Sequence, residues 1–392
     1  MISCGEDRTY EYEEFTIKNR VMQELLQKYY LWGDSIKDLT WKEYFGDVNT
    51  CFQKMISQAP VEDKWSYCAI DSVEQDYHER GYFNHIHSYG LDVMTMNDPT
   101  RLTNQTYARI LTVYPNSSAA ECGLKRGDFI GYINGEKLTA KNAELLKNGE
   151  ALSLVVYHML LIRDSIIWEK VDTIQMNKAT RVDDVQVPVV RHFIKNNKSV
   201  SYMMVNSLKD DGFKYDCANI NSADIFVLDL RLCNDGTIDN ACALASCIVP
   251  TECIGEIFAK TLWNRSNTQY NKDYTYDAEY QKYHLDVDSL VIITGKYTQS
   301  ASEWLINGLK NTMRDRVKVI GVKTVGQNVL LSDIPTTYGY TLHPAVAFVA
   351  DANGQYNYEN GVCPDIEIDE YMYHPLYEYG DEREVILNSI LR

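Results

Sequence analysis

Near the start of the chain, apolar residues recur at helical spacing: Ile17, Val21, Leu25 and Leu26, with Tyr29 and Leu31 beyond. A period near 3.6 puts them on one face, so a helix is expected there. A second, weaker helix is expected over 50–58, ended by Pro60. Further on the period shortens. Residues 109–114, 129–133 and 152–157 read as strands. Between them, 118–122 can form a short helix stopped by Gly123, Asn134-Gly135 is a tight turn with positive φ, and 140–147 is helical in character. A small β-domain with two short helices is expected, followed by a linker over 159–181.

The second half alternates differently. Residues 182–190 contain Pro188 and read as an edge or irregular strand, and 198–205 as a further strand. IFVLDLRLCNDG then supplies a buried strand over 225–230 and a sharp turn over 233–236, and a helix over 238–247 stops before Pro250. The same order recurs in LVIITGKYTQSASEWLINGLKN: an apolar, β-branched run over 290–294, a turn over 295–299 and a helix over 300–310. Glu303 falls in the first turn of that helix, where a carboxylate suits the dipole. With a strand over 317–321 behind it, this repetition argues an α/β core with both sheet faces covered. Residues 251–289, rich in Tyr and carrying Trp263, read as a long excursion with a β-hairpin. Late strands are expected over 338–348 and 355–358, and a closing helix over 382–391.

Length and composition narrow the picture. The 392 residues suffice for two or three domains. The divisions expected are a polar tether over 1–14, a small helical domain over 15–80, the β-domain over 85–158 and the α/β domain over 165–392. A net charge of −17 makes nucleic acid and anionic membrane surfaces poor partners. Ten cysteines show no disulfide-framework spacing, and buried free thiols are expected. No apolar run reaches the 18 residues of a membrane span. Ser3-Cys4-Gly5 resembles the end of a bacterial lipoprotein signal, with Cys4 as the lipidated residue, although the apolar region that should precede it is missing. His85 and His87 share a face of an extended chain, but no third ligand stands at useful spacing, so packing roles outweigh a metal site. No metal or organic cofactor is expected.

Ser300 is the candidate for chemistry. It stands where a strand ends and a helix begins, and a hydroxyl there can be held over backbone N–H groups that stabilise a developing oxyanion. The plainer reading is a helix N-cap.

Two resemblances bear on this choice. SSAAECGLKRGDFIGYINGEKL, over 117–138, resembles a PDZ domain of the circularly permuted kind found inside bacterial proteases. That resemblance implies a peptide bound by β-augmentation, with its C-terminal carboxylate held by backbone N–H groups, and it puts Tyr89, Gly90 and Leu91 at the carboxylate-binding loop. On the residues alone, Gly90 merely lets the opening strand turn. In addition, IFVLDLRLCNDG, VIITGKYTQSASEWLINGLK and VKVIGVKTVGQNV, in that order and with GVCPDIEI behind them, resemble the C-terminal processing (tail-specific) serine protease family, most of all its lipoprotein members from Bacteroides-type bacteria. The likeness covers roughly residues 60–370.

The resemblance implies a ClpP/crotonase-like catalytic core and a serine-type endopeptidase of extended or C-terminally exposed polypeptides. It implies Ser300 as nucleophile, with the oxyanion held by the N–H groups of Ala301 and of Gly236, or else Asp235. It also implies an extracytoplasmic place, periplasmic or anchored to the outer membrane of a Gram-negative bacterium, touching membrane only through a lipid on Cys4. Two positions depart from the family pattern. The family's lysine, a proton acceptor when neutral, is replaced by Gln327, and glutamine cannot serve as a base near neutral pH. The glycine turn reads Asn234-Asp235-Gly236-Thr237, one glycine short, and Asp235 brings a carboxylate toward the oxyanion position. Lys296, Lys323 and His85, His87, His284, His343 and His374 are the substitute bases to weigh. The alternative is a catalytically impaired relative that binds peptide through its PDZ-like unit. A carbohydrate-directed role finds no opposed carboxylate pair to support it.

Overall fold

The computed structural model describes residues 13–77, 79–101, 103–147, 149–162, 165–220 and 222–392. Cys4 and most of the expected tether lie outside them; Glu13 already opens a helix. The chain divides into two compact units. One comprises Met1–Gln75, Ile257–Tyr274 and Gln327–Glu359, and the other Asp76–Glu256, Thr275–Gly326 and Asn360–Arg392.

In the first unit, the helix Glu13–Tyr29 buries Met22 and Leu26, and the helix Val48–Ile56 buries Phe52 and Met55. Asp47 caps the second helix by accepting the Thr50 N–H at 2.9 Å. These apolar faces meet Cys68, Val329, Tyr340, Leu342 and Ala345. The partners come from a three-stranded antiparallel sheet (Tyr67–Ile70, Tyr340–His343, Ile334–Pro335) and from a four-stranded sheet that includes Ile257–Trp263 and Ala345–Asp351. The expected self-standing helical domain over 15–80 is therefore corrected. Two short helices cannot enclose a core, and strands from the distant 257–351 region cover them. The strand expected over 355–358 does not form; the Asp351 carboxylate gathers the Asn353 and Gln355 N–H groups into a turn instead.

The second unit is built on a six-stranded sheet in the order Ile366–Glu367, Val317–Gly321, Asp286–Thr294, Ser222–Asp229, Lys198–Met204, Val189–Lys195. Its neighbours are parallel except at the last pair. The central strands are buried runs, Phe226–Leu228 and Leu290–Ile293, as expected of parallel strands covered on both faces. On one face, Ile386, Leu387 and Leu391 of the closing helix meet Val227, Val291 and Ile293. The edge strand starts at Val189, one residue after Pro188, rather than at 182, because proline cannot donate to the ladder. Val317–Gly321 and Phe129–Ile133 have the expected bounds.

The same unit contains an antiparallel sheet in the order Leu91–Asn97, Thr106–Val113, Phe129–Ile133, Leu152–Ile162, Ser165–Met176. The linker expected over 159–181, and a domain end at 158, are corrected here: Ser165–Met176 is a full strand paired along Leu152–Ile162. The helix expected over 140–147 is a 3-10 helix, Asn142–Lys147. Buried Arg109 donates to the carbonyls of Tyr371 and Tyr373, and buried Arg126 donates to that of Tyr377 and to the Glu370 carboxylate. Together they tie this sheet to the 370–377 segment.

Candidate active site

Parallel neighbours Ser222–Asp229 and Asp286–Thr294 end side by side, so the turns that leave them lie together. Hydrogen bonds stitch these turns to each other. The Cys233 carbonyl accepts the Gln299 N–H at 3.1 Å and the Ser302 hydroxyl at 2.9 Å. The Leu230 carbonyl accepts the Thr298 hydroxyl at 2.8 Å. Gly236 and Ser300, distant in sequence, thus belong to one site.

Ser300 heads the helix Ala301–Met313 with φ 59° and ψ −125° and is 7% exposed. An ordinary N-cap is extended, as Ser117 and Thr237 are in this protein, with φ −123° and −111°. Ser300 is the N-cap of this helix and shares a capping box with Glu303, as the plainer reading has it, but its backbone is not that of an ordinary cap. A side chain held in this backbone region costs about 1–3 kcal/mol and persists only where the surroundings enforce it. Glu303 does so. One of its carboxylate oxygens accepts the Ser300 N–H at 3.2 Å, and the other accepts the Gly326 N–H at 2.6 Å and the Thr324 hydroxyl. Val325 adds an N–H bond to the Thr298 carbonyl at 3.1 Å.

Two N–H groups at this site are unspent. Ala301 is the first helical residue, so its N–H has no partner within the helix and lies at the positive end of the dipole. Gly236 forms a parallel bridge with Leu208, in which the Leu208 N–H meets the Asp235 carbonyl at 3.4 Å and the Thr237 N–H meets the Leu208 carbonyl at 3.1 Å. The flanking groups face Leu208, which turns the Gly236 N–H away from it. Among the described residues, neither N–H has an acceptor. Gly236 has φ 132°, and a Cβ there would lie 2.5 Å from the Leu208 Cβ and 2.8 Å from the Leu208 carbonyl oxygen. Gly236→Ala is expected to push the turn out of place and to cut the rate of covalent labelling of Ser300 by about 100-fold, the usual loss when an oxyanion donor goes. Labelling kinetics at an unchanged far-ultraviolet spectrum check this.

The repulsion expected from Asp235 is offset. Its buried carboxylate is paired with the Lys209 ammonium at 2.9 Å.

The candidate bases are scattered. Lys296 is half exposed and 3.8 Å from Asp92, and Lys323 is exposed. Nδ1 of His85 is 2.8 Å from the Asp76 carboxylate, and His87 is exposed beside Gly149. His284 precedes the strand Asp286–Thr294 and Ser300 follows it, a separation of about 30 Å along nine residues. His374 is held neutral, its pKa pushed down to about 4 by burial and then by Arg109. Within this unit, among the described residues, no lysine or histidine nitrogen hydrogen-bonds to the Ser300 hydroxyl. His343 belongs to the other unit, stacked on Tyr67 and 2.8 Å from Asp333. Gln327, buried, opens that unit's last segment.

The expected carboxylate loop is occupied in part. Tyr89 and Leu91 are core residues. The Gly90 N–H donates to the Ser88 hydroxyl at 2.9 Å, and the Gly90 carbonyl accepts the Tyr114 N–H at 2.8 Å. The neighbouring strand Leu91–Asn97 is an outer strand of its sheet. Beside it, Tyr82 donates its N–H to the Asp92 carboxylate at 3.0 Å and its hydroxyl to Glu144 at 3.2 Å. Burial pushes the Asp92 pKa up, and Asp92 also accepts the Tyr297 hydroxyl at 2.6 Å. The sequence alone marks Glu303 only as a partner of the helix dipole. The S-x-x-E spacing of a capping box was the available signal for its contact with Ser300, whereas nothing in the sequence pointed to its hold on Thr324 and Gly326.

Residues 197–368 match the family model of Peptidase family S41, which marks that stretch as an S41 peptidase domain. No curated protein matches the chain. Among solved structures, a provisionally assigned S41 protease from Bacteroides fragilis NCTC 9343 is similar, with a TM-score of 0.82 and 24% identity over 95% of this chain and 96% of that one. The photosystem II D1 C-terminal processing protease is similar at a TM-score of 0.53 and 15% identity, over 91% of this chain and 92% of that one. At these identities the two likenesses establish a common fold.

Proposed function

We propose that the protein is a serine-type endopeptidase that cuts extended or C-terminally exposed polypeptides. The S41 domain over 197–368 is the premise. The observation that carries the reading is the left-handed backbone of Ser300, enforced by Glu303, beside two N–H groups without acceptors among the described residues. In the reaction, the Ser300 hydroxyl attacks the scissile carbonyl, and the Ala301 and Gly236 N–H groups hold the oxyanion. The amine leaves with a proton, and water then hydrolyses the acyl-enzyme. The Ser300 hydroxyl proton passes to a general base and from it to the leaving amine.

The antiparallel sheet over 91–176 supports a PDZ-like docking unit, with Leu91–Asn97 as the outer strand to which a peptide adds. The bond from the Gly90 N–H to the Ser88 hydroxyl counts against Tyr89-Gly90-Leu91 as the capture point. An extracytoplasmic, lipid-anchored setting is part of the proposal and rests on Ser3-Cys4-Gly5 alone.

A second reading, a peptide-binding relative with impaired catalysis, is favoured by Gln327 in the lysine position and by the lack, among the described residues of its unit, of a lysine or histidine hydrogen-bonded to the Ser300 hydroxyl. Labelling with a fluorophosphonate probe separates the two. The native protein is expected to label, and Gln327→Lys to label about 100-fold faster, within the range a positioned base contributes. Labelling seen only in Gln327→Lys would establish the second reading.

A further inference from the structure

Arg80 has no exposed surface and lies outside every strand of the six-stranded sheet that includes Ser222–Asp229 and Asp286–Thr294. A guanidinium is buried only where its donors find partners and its charge a counter-ion. Here Nη1 is 2.7 Å from the Asp184 carboxylate and donates to the Tyr114 hydroxyl at 3.1 Å. That pair satisfies the charge. The remaining donors go elsewhere: Nε to the Asn234 side-chain oxygen at 3.2 Å, and Nη2 to the Asn206 carbonyl at 3.2 Å. Asn234 is two residues before Gly236. Asn206 is two residues before Leu208, the residue that bridges Gly236. One rigid, planar fork therefore holds both backbone segments that set where the Gly236 N–H points.

The fork is itself fixed. Gly81, next in the chain, has φ 59° and lies so close to Asp92 and the Tyr297 hydroxyl that a Cβ would meet them at 2.2 and 2.5 Å. Tyr297 is three residues before Ser300. The segment carrying Arg80 is thus seated against the nucleophile turn as well.

We propose that Arg80 is a positioning residue of the oxyanion turn, setting the Gly236 N–H through Asn234 and Asn206. The inference rests on the reading of Gly236 as an oxyanion donor. Two readouts test it in the full-length chain: hydrogen exchange at the Cys233 and Thr237 amides, which are bonded to the Leu230 and Leu208 carbonyls, and the rate and half-saturating concentration of fluorophosphonate labelling. Asn234→Ala removes the acceptor of the Arg80 Nε bond and leaves the Arg80–Asp184 pair in place, so it remains informative if Arg80→Gln fails to fold. Both variants are expected to speed exchange at these amides by about tenfold, with no change in the Leu152–Ile162 strand. Labelling should slow by about 10-fold to 100-fold at an unchanged half-saturating concentration, as for a donor that acts in the transition state alone. Arg80→Lys should recover part of the rate. If native protein labels while Asn234→Ala changes neither exchange nor rate, Arg80 is a structural ion pair and the proposal falls. If native protein fails to label but exchange at 233 and 237 responds, the peptidase reading fails and the hold of Arg80 on the turn stands.

Discussion

Ser300→Ala is expected to abolish fluorophosphonate labelling and to lower kcat/KM on any cleaved peptide by at least about a thousandfold. The Thr298 and Ser302 hydroxyls at the joined turns donate to the Leu230 and Cys233 carbonyls, which leaves the Ser300 hydroxyl as the candidate nucleophile, and the oxyanion donors alone leave a small residual rate. The fold should survive, because alanine fills the same space and Glu303 still holds the backbone N–H of position 300. The companion variant Ser300→Gly is the sharper one. Glycine adopts positive φ without strain, so this inactive protein is expected to be more stable than native by about 1 kcal/mol. An ordinary cap would behave otherwise, since replacing it with glycine costs a few tenths of a kcal/mol. Denaturant melts of the two variants decide the matter: a stability loss in Ser300→Gly would show that the serine is kept for capping.

Glu303→Ala is expected to have the second-largest effect, on stability and labelling together. The carboxylate is fully buried and accepts from three donors: the Ser300 N–H, the Gly326 N–H and the Thr324 hydroxyl. Each buried donor left without a partner costs about 1–3 kcal/mol, so a loss of about 3–5 kcal/mol is expected once water fills part of the gap. Released from this hold, Ser300 should relax toward extended backbone and labelling should disappear. Glu303→Gln keeps one acceptor oxygen and sets an amide against N–H donors, so it should fall between. Urea unfolding beside probe labelling reads both. A change below about 1 kcal/mol with labelling intact would mean that Glu303 does not hold the turn.

Much of this site was readable before any fold was known. The two strand–turn–helix units rest on short apolar runs followed by helical periodicity, and both appear as Ser222–Asp229 with Ile238–Ile248 and Asp286–Thr294 with Ala301–Met313. Ser300, Ala301 and Gly236 were placed from those units and from the family likeness, and hydrogen bonds at Cys233 bring them together. The misreadings share a cause. Residues 165–176 lack strict alternation and read as a linker, yet they pair along a strand that supplies the missing partner. The helices of 13–56 looked like a domain, but their apolar faces are completed by strands about 300 residues later.

Local order in the chain was thus enough to specify a strand-to-helix serine, a glycine turn and the α/β alternation around them, because periodicity and turn chemistry act over a few residues. What the amino-acid order left open was settled by contacts between distant residues. The backbone strain of Ser300 depends on Glu303 reaching Thr324 and Gly326. The pairing of Asp235 depends on Lys209, and the seat of Gly236 depends on Leu208 and on an arginine 154 residues before Asn234. Such groups are desolvated together only after the sheet has formed. Their roles therefore exist in the packed structure and have no signature in the spacing of residues along the chain.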